Sequence, residues 1–168
     1  MSKQRIENFA IEIFSENAQK EALGFIAYLR KNEMLFERGE DYWKDKLYWT
    51  IRYKGECVCF ILINDSEDKT EAEGWTVWSD DSDSNWFADV PLDEYIRKIA
   101  WENVDFCVNC GSCKNPGGTC KMIFGKNFDH VCITAMKFVN PDAETLECIE
   151  KMIEIRKNDI LKILDICK

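Results

Sequence analysis

The segment from residue 47 to residue 63 constrains the fold most strongly. Leu47, Trp49, Ile51 and Tyr53 alternate with Tyr48, Thr50, Arg52 and Lys54, the period of two that belongs to a β-strand. Gly55 supplies a turn. In the run that follows, Cys57, Cys59, Ile61 and Ile63 share one face, and Val58, Phe60 and Leu62 share the other. A strand apolar on both faces must be covered on both, so it is expected at the centre of a sheet. Residues 74–79, GWTVWS, read as a third strand, and the connections are too short for anything but an antiparallel meander.

Around this meander the period changes to that of helices. Ala22, Phe25, Ile26 and Leu29, with Asn17 as N-cap, predict a helix over 17–31, whereas residues 6–13 suit a helix or a strand equally. Pro91-Leu92-Asp93-Glu94 opens a helix with the stripe Leu92, Tyr95, Ile96 and Ile99, ending near Val104. Residues 121–124 and 128–138 flank Gly125-Lys126 as a hairpin. Asn140-Pro141-Asp142 then starts a last helix striped by Leu146, Ile149, Ile153, Ile160 and Leu164. The expectation is one α+β domain over 1–168: an antiparallel sheet, made of a three-stranded meander plus a hairpin, packed by helices. A Cys-rich loop, 107–120, is inserted before the hairpin.

Composition narrows the function. A chain of 168 residues, 46% hydrophobic, is the size of one domain. Its 31 acidic and 22 basic residues give a net charge of −9, which opposes binding to nucleic acid or to an anionic membrane. Many of the acids fall between residues 64 and 94. The start, MSKQRIENFA, has no apolar run of signal length, and no segment approaches the roughly 20 apolar residues of a membrane span. A cytoplasmic location is therefore expected. There thiols stay reduced, so nine cysteines point to metal or redox chemistry rather than to disulfides.

The most specific motif is CVNCGSCKNPGGTC. It places Cys107, Cys110, Cys113 and Cys120 in a turn-rich loop, with Cys132 on the following hairpin. The C-x-x-C spacing lets one tight turn present two thiolates to one ion, and Gly111 accepts the positive φ that turns backbone N–H groups toward sulfur. Four thiolates complete a structural zinc site, and five cysteines compete for the four places. With Gly125-Lys126 as the turn, Thr119 pairs with Cys132, which brings Cys120 and Cys132 both near the base of the loop. The fourth ligand stays open between them. C-x-x-C-x-x-C also opens bacterial iron–sulfur motifs, but Gly117 stands where their fourth cysteine belongs. Cys57 and Cys59 read as core, and Cys148 and Cys167 as helix positions without a signal.

Other candidates carry less. Asp81-x-Asp83-x-Asn85 begins like a calcium loop, but Trp86 and Leu92 occupy the places that need Gly and Glu. No phosphate-binding, serine-hydrolase or zinc-protease motif is present. His130 is the only histidine, and a dyad with Cys132 two residues away lacks the orientation for proton transfer. Of the six tryptophans, Trp49, Trp75 and Trp78 with Tyr53 and Glu56 are candidates for an aromatic cleft that takes a flat or cationic small molecule. The chain thus reads as a non-enzymatic domain with a structural zinc site. An iron–sulfur or thiol-based redox or metal-sensing protein is the alternative.

The succession YKGECVCFILI, a Trp-rich strand, PLDEYIRKIAW, FGKNFDHVC and NPDAETLECIEKMIEIRKNDI, over residues 47–158, resembles uncharacterised small bacterial proteins of the YdhG and YjbR type. The resemblance implies an antiparallel sheet with helices on one side. Related segments that follow helix-turn-helix regions in regulators imply ligand sensing. The Cys loop is an addition to that pattern.

Overall fold

The computed structural model describes residues 5–40, 46–63, 74–111, 113 and 116–166. Trp43, Cys167 and the acids of residues 64–73 lie outside the described residues.

The elements in chain order are α1 (Ile6–Ile13), α2 (Glu16–Lys31), β1 (Leu35–Arg38), β2 (Leu47–Tyr53), β3 (Glu56–Ile63) and β4 (Trp75–Ser79). There follow α3 (Glu94–Glu102), β5 (Val104–Phe106), β6 (Thr119–Ile123), β7 (Lys126–Val139) and α4 (Ala143–Ile166). The fold is α+β, as expected. All pairings are antiparallel, and the strands join in one seven-stranded sheet in the order β1-β2-β3-β4-β7-β5, with β6 also on β7. The expected meander and hairpin are therefore parts of a single sheet, joined where Trp78 of β4 pairs with Lys137 of β7.

One core lies between the helices and one face of the sheet. Phe25, Ile26 and Leu29 of α2 and Ile149, Ile153 and Ile160 of α4 pack there with Trp49, Ile51, Ile61, Trp75 and Phe138. Residues 6–13 are helical because Ile6 and Ala10, one turn apart, both enter this core. The second helix starts ahead of the expected Asn17 cap, after Ser15 in extended backbone. The third ends at Glu102, since Val104 and Phe106 pair with Met136 and Val131 of β7.

Two local features change what the sequence suggests. The β2–β3 turn has positive φ at both Lys54 (49°) and Gly55 (86°), the form that matches strand twist. Beyond it, Ile51 faces Cys59 but Arg52 faces Cys57, so Val58 is an extra, bulged residue. Cys57 and Cys59 therefore do not share a face. Cys59 lies in the main core, whereas Cys57 joins Tyr48, Phe60, Leu62 and Trp78 in a smaller buried cluster.

At this bulge the fully buried Arg156 of α4 donates from Nε and Nη2 to Cys57 O at 3.1 and 3.0 Å. The same guanidinium lies 3.5 Å from Asp80 and 2.7 Å from Asp159. Asp80, at the end of the acidic stretch's only described strand, also accepts from Trp86 Nε1 at 2.8 Å. The buried charge is thus matched by carboxylates and a carbonyl, which is the condition for keeping it inside.

Candidate metal centre

The cysteine loop leaves β5 at Phe106 and returns into β6 at Thr119. Its first residue is anchored, since Cys107 N–H donates to His130 O of β7 at 2.8 Å. The chain then curls through Asn109 at φ 55° and Gly111 at φ 77°. This curl points the Asn109 N–H at Cys107 Sγ, 3.4 Å away. A backbone N–H aimed at sulfur is the arrangement that a C-x-x-C turn with positive φ provides around a metal-ligating cysteine. Asn109 Oδ1 in turn accepts the Gly117 N–H at 2.8 Å, which ties the two ends of the loop together.

The return leg lies directly on β7. His130, itself at φ 60°, places Nδ1 3.1 Å from Gly117 O. At Gly118 (φ 71°) a Cβ would stand 2.6 Å from His130 C and from Val131 O, so glycine is needed there for space as well as for conformation. His130 is exposed and acts in loop geometry; its backbone and ring hold the loop.

The fourth side of the site comes from β7. Three residues of β5, Val104 to Phe106, run past six of β7, Met136 to Val131, so β7 bulges. Ala135 and Met136 are adjacent, yet both are in the core. This break in alternation lets Cys132 and Thr134 line the same cavity as Lys137 and Trp78. The cavity measures about 180 Å³, and Cys107, Cys110 and Cys113 form its loop wall.

Cys120 is not on this wall. The β6–β7 turn is Phe124-Gly125, with Ile123 opposite Lys126 and Thr119 opposite Val131, which corrects the expected register of Thr119 with Cys132. Phe124 takes φ 47° because its ring is buried in the core and its N–H donates to Phe87 O at 2.6 Å. Gly125 N–H likewise donates to Ala88 O at 2.8 Å. The shift leaves Cys120 exposed beside Asp129, whose carboxylate pushes the thiol's pKa up. Of the two cysteines near the loop base, only Cys132 lines the cavity with the other three.

Asp105 and Thr134 complete the polar wall. Thr134 Oγ1 donates to Asp105 Oδ2 at 2.9 Å and lies 3.6 Å from Cys132 Sγ. Burial raises the pKa of Asp105, and burial likewise raises that of the Cys132 thiol. Neither residue is singled out by the C-x-x-C spacing. Thr134 carries only the faint signal of standing two residues after Cys132, and Asp105 fell beyond an expected helix end.

A tetrahedral zinc–thiolate centre needs sulfurs roughly 3.8 Å apart around the ion. Among the described residues no three Cys, His, Asp or Glu side chains stand close enough to hold one ion. The four cysteines line one cavity without being drawn in to bonding distance, so filling the site requires the loop to tighten.

The residues expected to form an aromatic cleft do not line one surface. Trp49, Tyr53 and Trp75 are buried in the main core, because the helices cover that face of β2 and β4. Trp78 lies in the smaller cluster, and Glu56 is exposed at the β2–β3 turn. Trp78 alone reaches the cysteine cavity. The Asp81-x-Asp83-x-Asn85 segment forms a loop in which Ser82 Oγ donates to Asp80 and Ser84 Oγ donates to Asp159, so its hydroxyls serve the Arg156 network.

Comparison with family models, with curated proteins and with solved structures finds no match to this chain. No helix among the described residues is long and apolar enough to cross a membrane. The functional reading accordingly rests on the chemistry of the cysteine cavity.

Proposed function

We propose that the chain is a non-enzymatic metal-binding domain in which Cys107, Cys110, Cys113 and Cys132 hold one structural zinc ion. The observation that carries this reading is the shared cavity: three thiols of the loop and one of β7 line it together. Thiolate sulfur is the preferred ligand of structural zinc, and four such ligands leave no open position for a substrate. The Asn109 N–H directed at Cys107 Sγ supports it, as does the chain of contacts from Gly117 and Gly118 to His130 that holds the loop against its fourth ligand. Zinc would close the loop onto β7 and so join the β5 end of the sheet to its hairpin.

Metal analysis of the full chain, purified under reducing conditions, tests the reading. One zinc per chain, lost on replacing Cys110 or Cys132 with Ser and kept on replacing Cys120, is the expected result. Iron with visible absorption in anaerobically purified protein would replace zinc by an iron–sulfur cluster. A metal-free chain that stays metal-free on addition of zinc would overturn metal binding altogether.

A further inference from the structure

A zinc ion held by four thiolates carries a net charge of −2, and it would form in a chain whose own charge is already −9. Asp105 adds a carboxylate to the same cavity. Positive charge close by stabilises such a centre, because its net negative charge attracts a cation the more strongly the less water screens it. Two lysines line this cavity with the thiols, Lys137 and Lys46.

Their placement is built into the sheet. Lys137 is the cross-strand partner of Trp78, so its stem runs beside the indole, and the β7 bulge puts it in the same cavity as Cys132 and Thr134. Its Nζ lies 5.2 Å from the Trp78 ring centroid, and Lys46 Nζ lies 6.0 Å from the same centroid. An aromatic face seats an ammonium group without cancelling its charge, and both lysines line the cavity together with the sulfurs. Alternation along β4 places Trp78 on the face opposite Trp75, where its indole meets both lysines.

We infer that Lys137 and Lys46, seated on Trp78, are positioning residues that supply the counter-charge of the four-thiolate metal centre and set its affinity. This inference rests on the zinc reading and extends it to groups that do not touch the ion.

The test measures zinc affinity of the full chain by competition with a chromophoric chelator, at low and at moderate salt. Lys137→Met keeps the stem on the indole and removes the charge. It is expected to weaken zinc binding about tenfold at low salt, the order that one unit charge near a partly solvated dianion provides. The loss should shrink as salt screens the lysine in the parent chain. Lys46→Met should act in the same direction, Lys137→Arg should restore binding to within about threefold of the parent chain, and Lys98→Met on α3 should change nothing. If the parent chain binds zinc and the two Met variants, folded by circular dichroism, bind it equally tightly at both salt concentrations, the counter-charge role is wrong and the zinc reading stands. If the parent chain binds no zinc, both fall.

Discussion

Asn109 donates its backbone N–H to Cys107 Sγ across 3.4 Å, two residues along a loop that reverses through positive φ at both Asn109 and Gly111. The donor is fixed at its far side as well, since the Asn109 side chain accepts the Gly117 N–H. The first sulfur of the motif is therefore held by the loop's own backbone and by the Asn109 side chain's bond to the return leg.

The fourth ligand separates Cys132 from Cys120. Cys132→Ser is expected to lose most of the bound zinc, and Cys120→Ser to keep one zinc per chain, because only the former cysteine lines the cavity. Cys57→Ser should leave metal content unchanged, since Cys57 is buried in the cluster with Phe60 and Leu62. Metal analysis of the three variants checks the order; retention by Cys132→Ser with loss by Cys120→Ser would reverse the assignment.

Gly118→Ala should loosen the loop. The added methyl meets the backbone of His130 and Val131, and the residue must keep a φ of 71°, a conformation that costs a residue with a Cβ about 1–2 kcal/mol before the collision is counted. Zinc affinity should fall along with stability, because the same contact holds the loop against Cys132. Gly55→Ala, with open space around its Cβ, should cost only the conformational part and leave zinc affinity intact. Equal zinc affinity in the two variants would argue against the role of Gly118.

Removing zinc with a chelator is expected to raise amide hydrogen exchange over residues 107–118 and at His130 while sparing β3 and α4. A structural ion couples binding to local order, and the main core packs without the loop. Exchange that rises throughout the sheet would show that the ion supports the whole fold.

Arg156→Met should be severe. It leaves Asp80 buried against Trp86 without its cation, a loss of about 3–5 kcal/mol by analogy with broken buried pairs. Burial already raises the pKa of Asp80 above its ordinary value, so Asp80→Asn, which removes the charge and keeps an oxygen for Trp86, should cost less. Denaturant unfolding of the two variants tests the order.

Glu7 provides a pH test away from the site. Arg30 of α2 donates to both of its carboxylate oxygens and holds its pKa below the ordinary 4.5, joining α1 to α2. A lowered folded-state value means that the contribution is present above about pH 4.5 and is lost as pH falls through the folded value. The pair is partly exposed, so Glu7→Gln should cost only about 0.5–1 kcal/mol near neutrality. The difference between Glu7→Gln and the parent chain should vanish in acid; a difference that grows there would contradict the assignment.

Alternation made β2, β3 and β4 legible, and the Asn140-Pro141-Asp142 start made α4 legible, because these segments carry strong periods and turn residues. β1 stayed hidden: Leu35, Glu37 and Arg38 are exposed on the edge of the sheet, so no buried face marks it. Bulges hid more. The extra residue at Val58 separates Cys57 from Cys59, and the bulge before Lys137 turns Cys132 toward the loop; neither leaves a mark in a period of two. The β6–β7 register was missed because Phe124, a bulky residue, accepts positive φ once its ring is buried, while sequence rules favour the turn that starts at Gly125. The five candidate cysteines were legible from spacing, and the choice among them needed the register.

The most direct test of the central claim is the metal content of the full chain, purified in reducing buffer and measured by elemental analysis together with its visible spectrum. One zinc per chain with no visible absorption is the result this account predicts. Iron with visible absorption, or a chain that takes up no zinc when zinc is supplied, would contradict it.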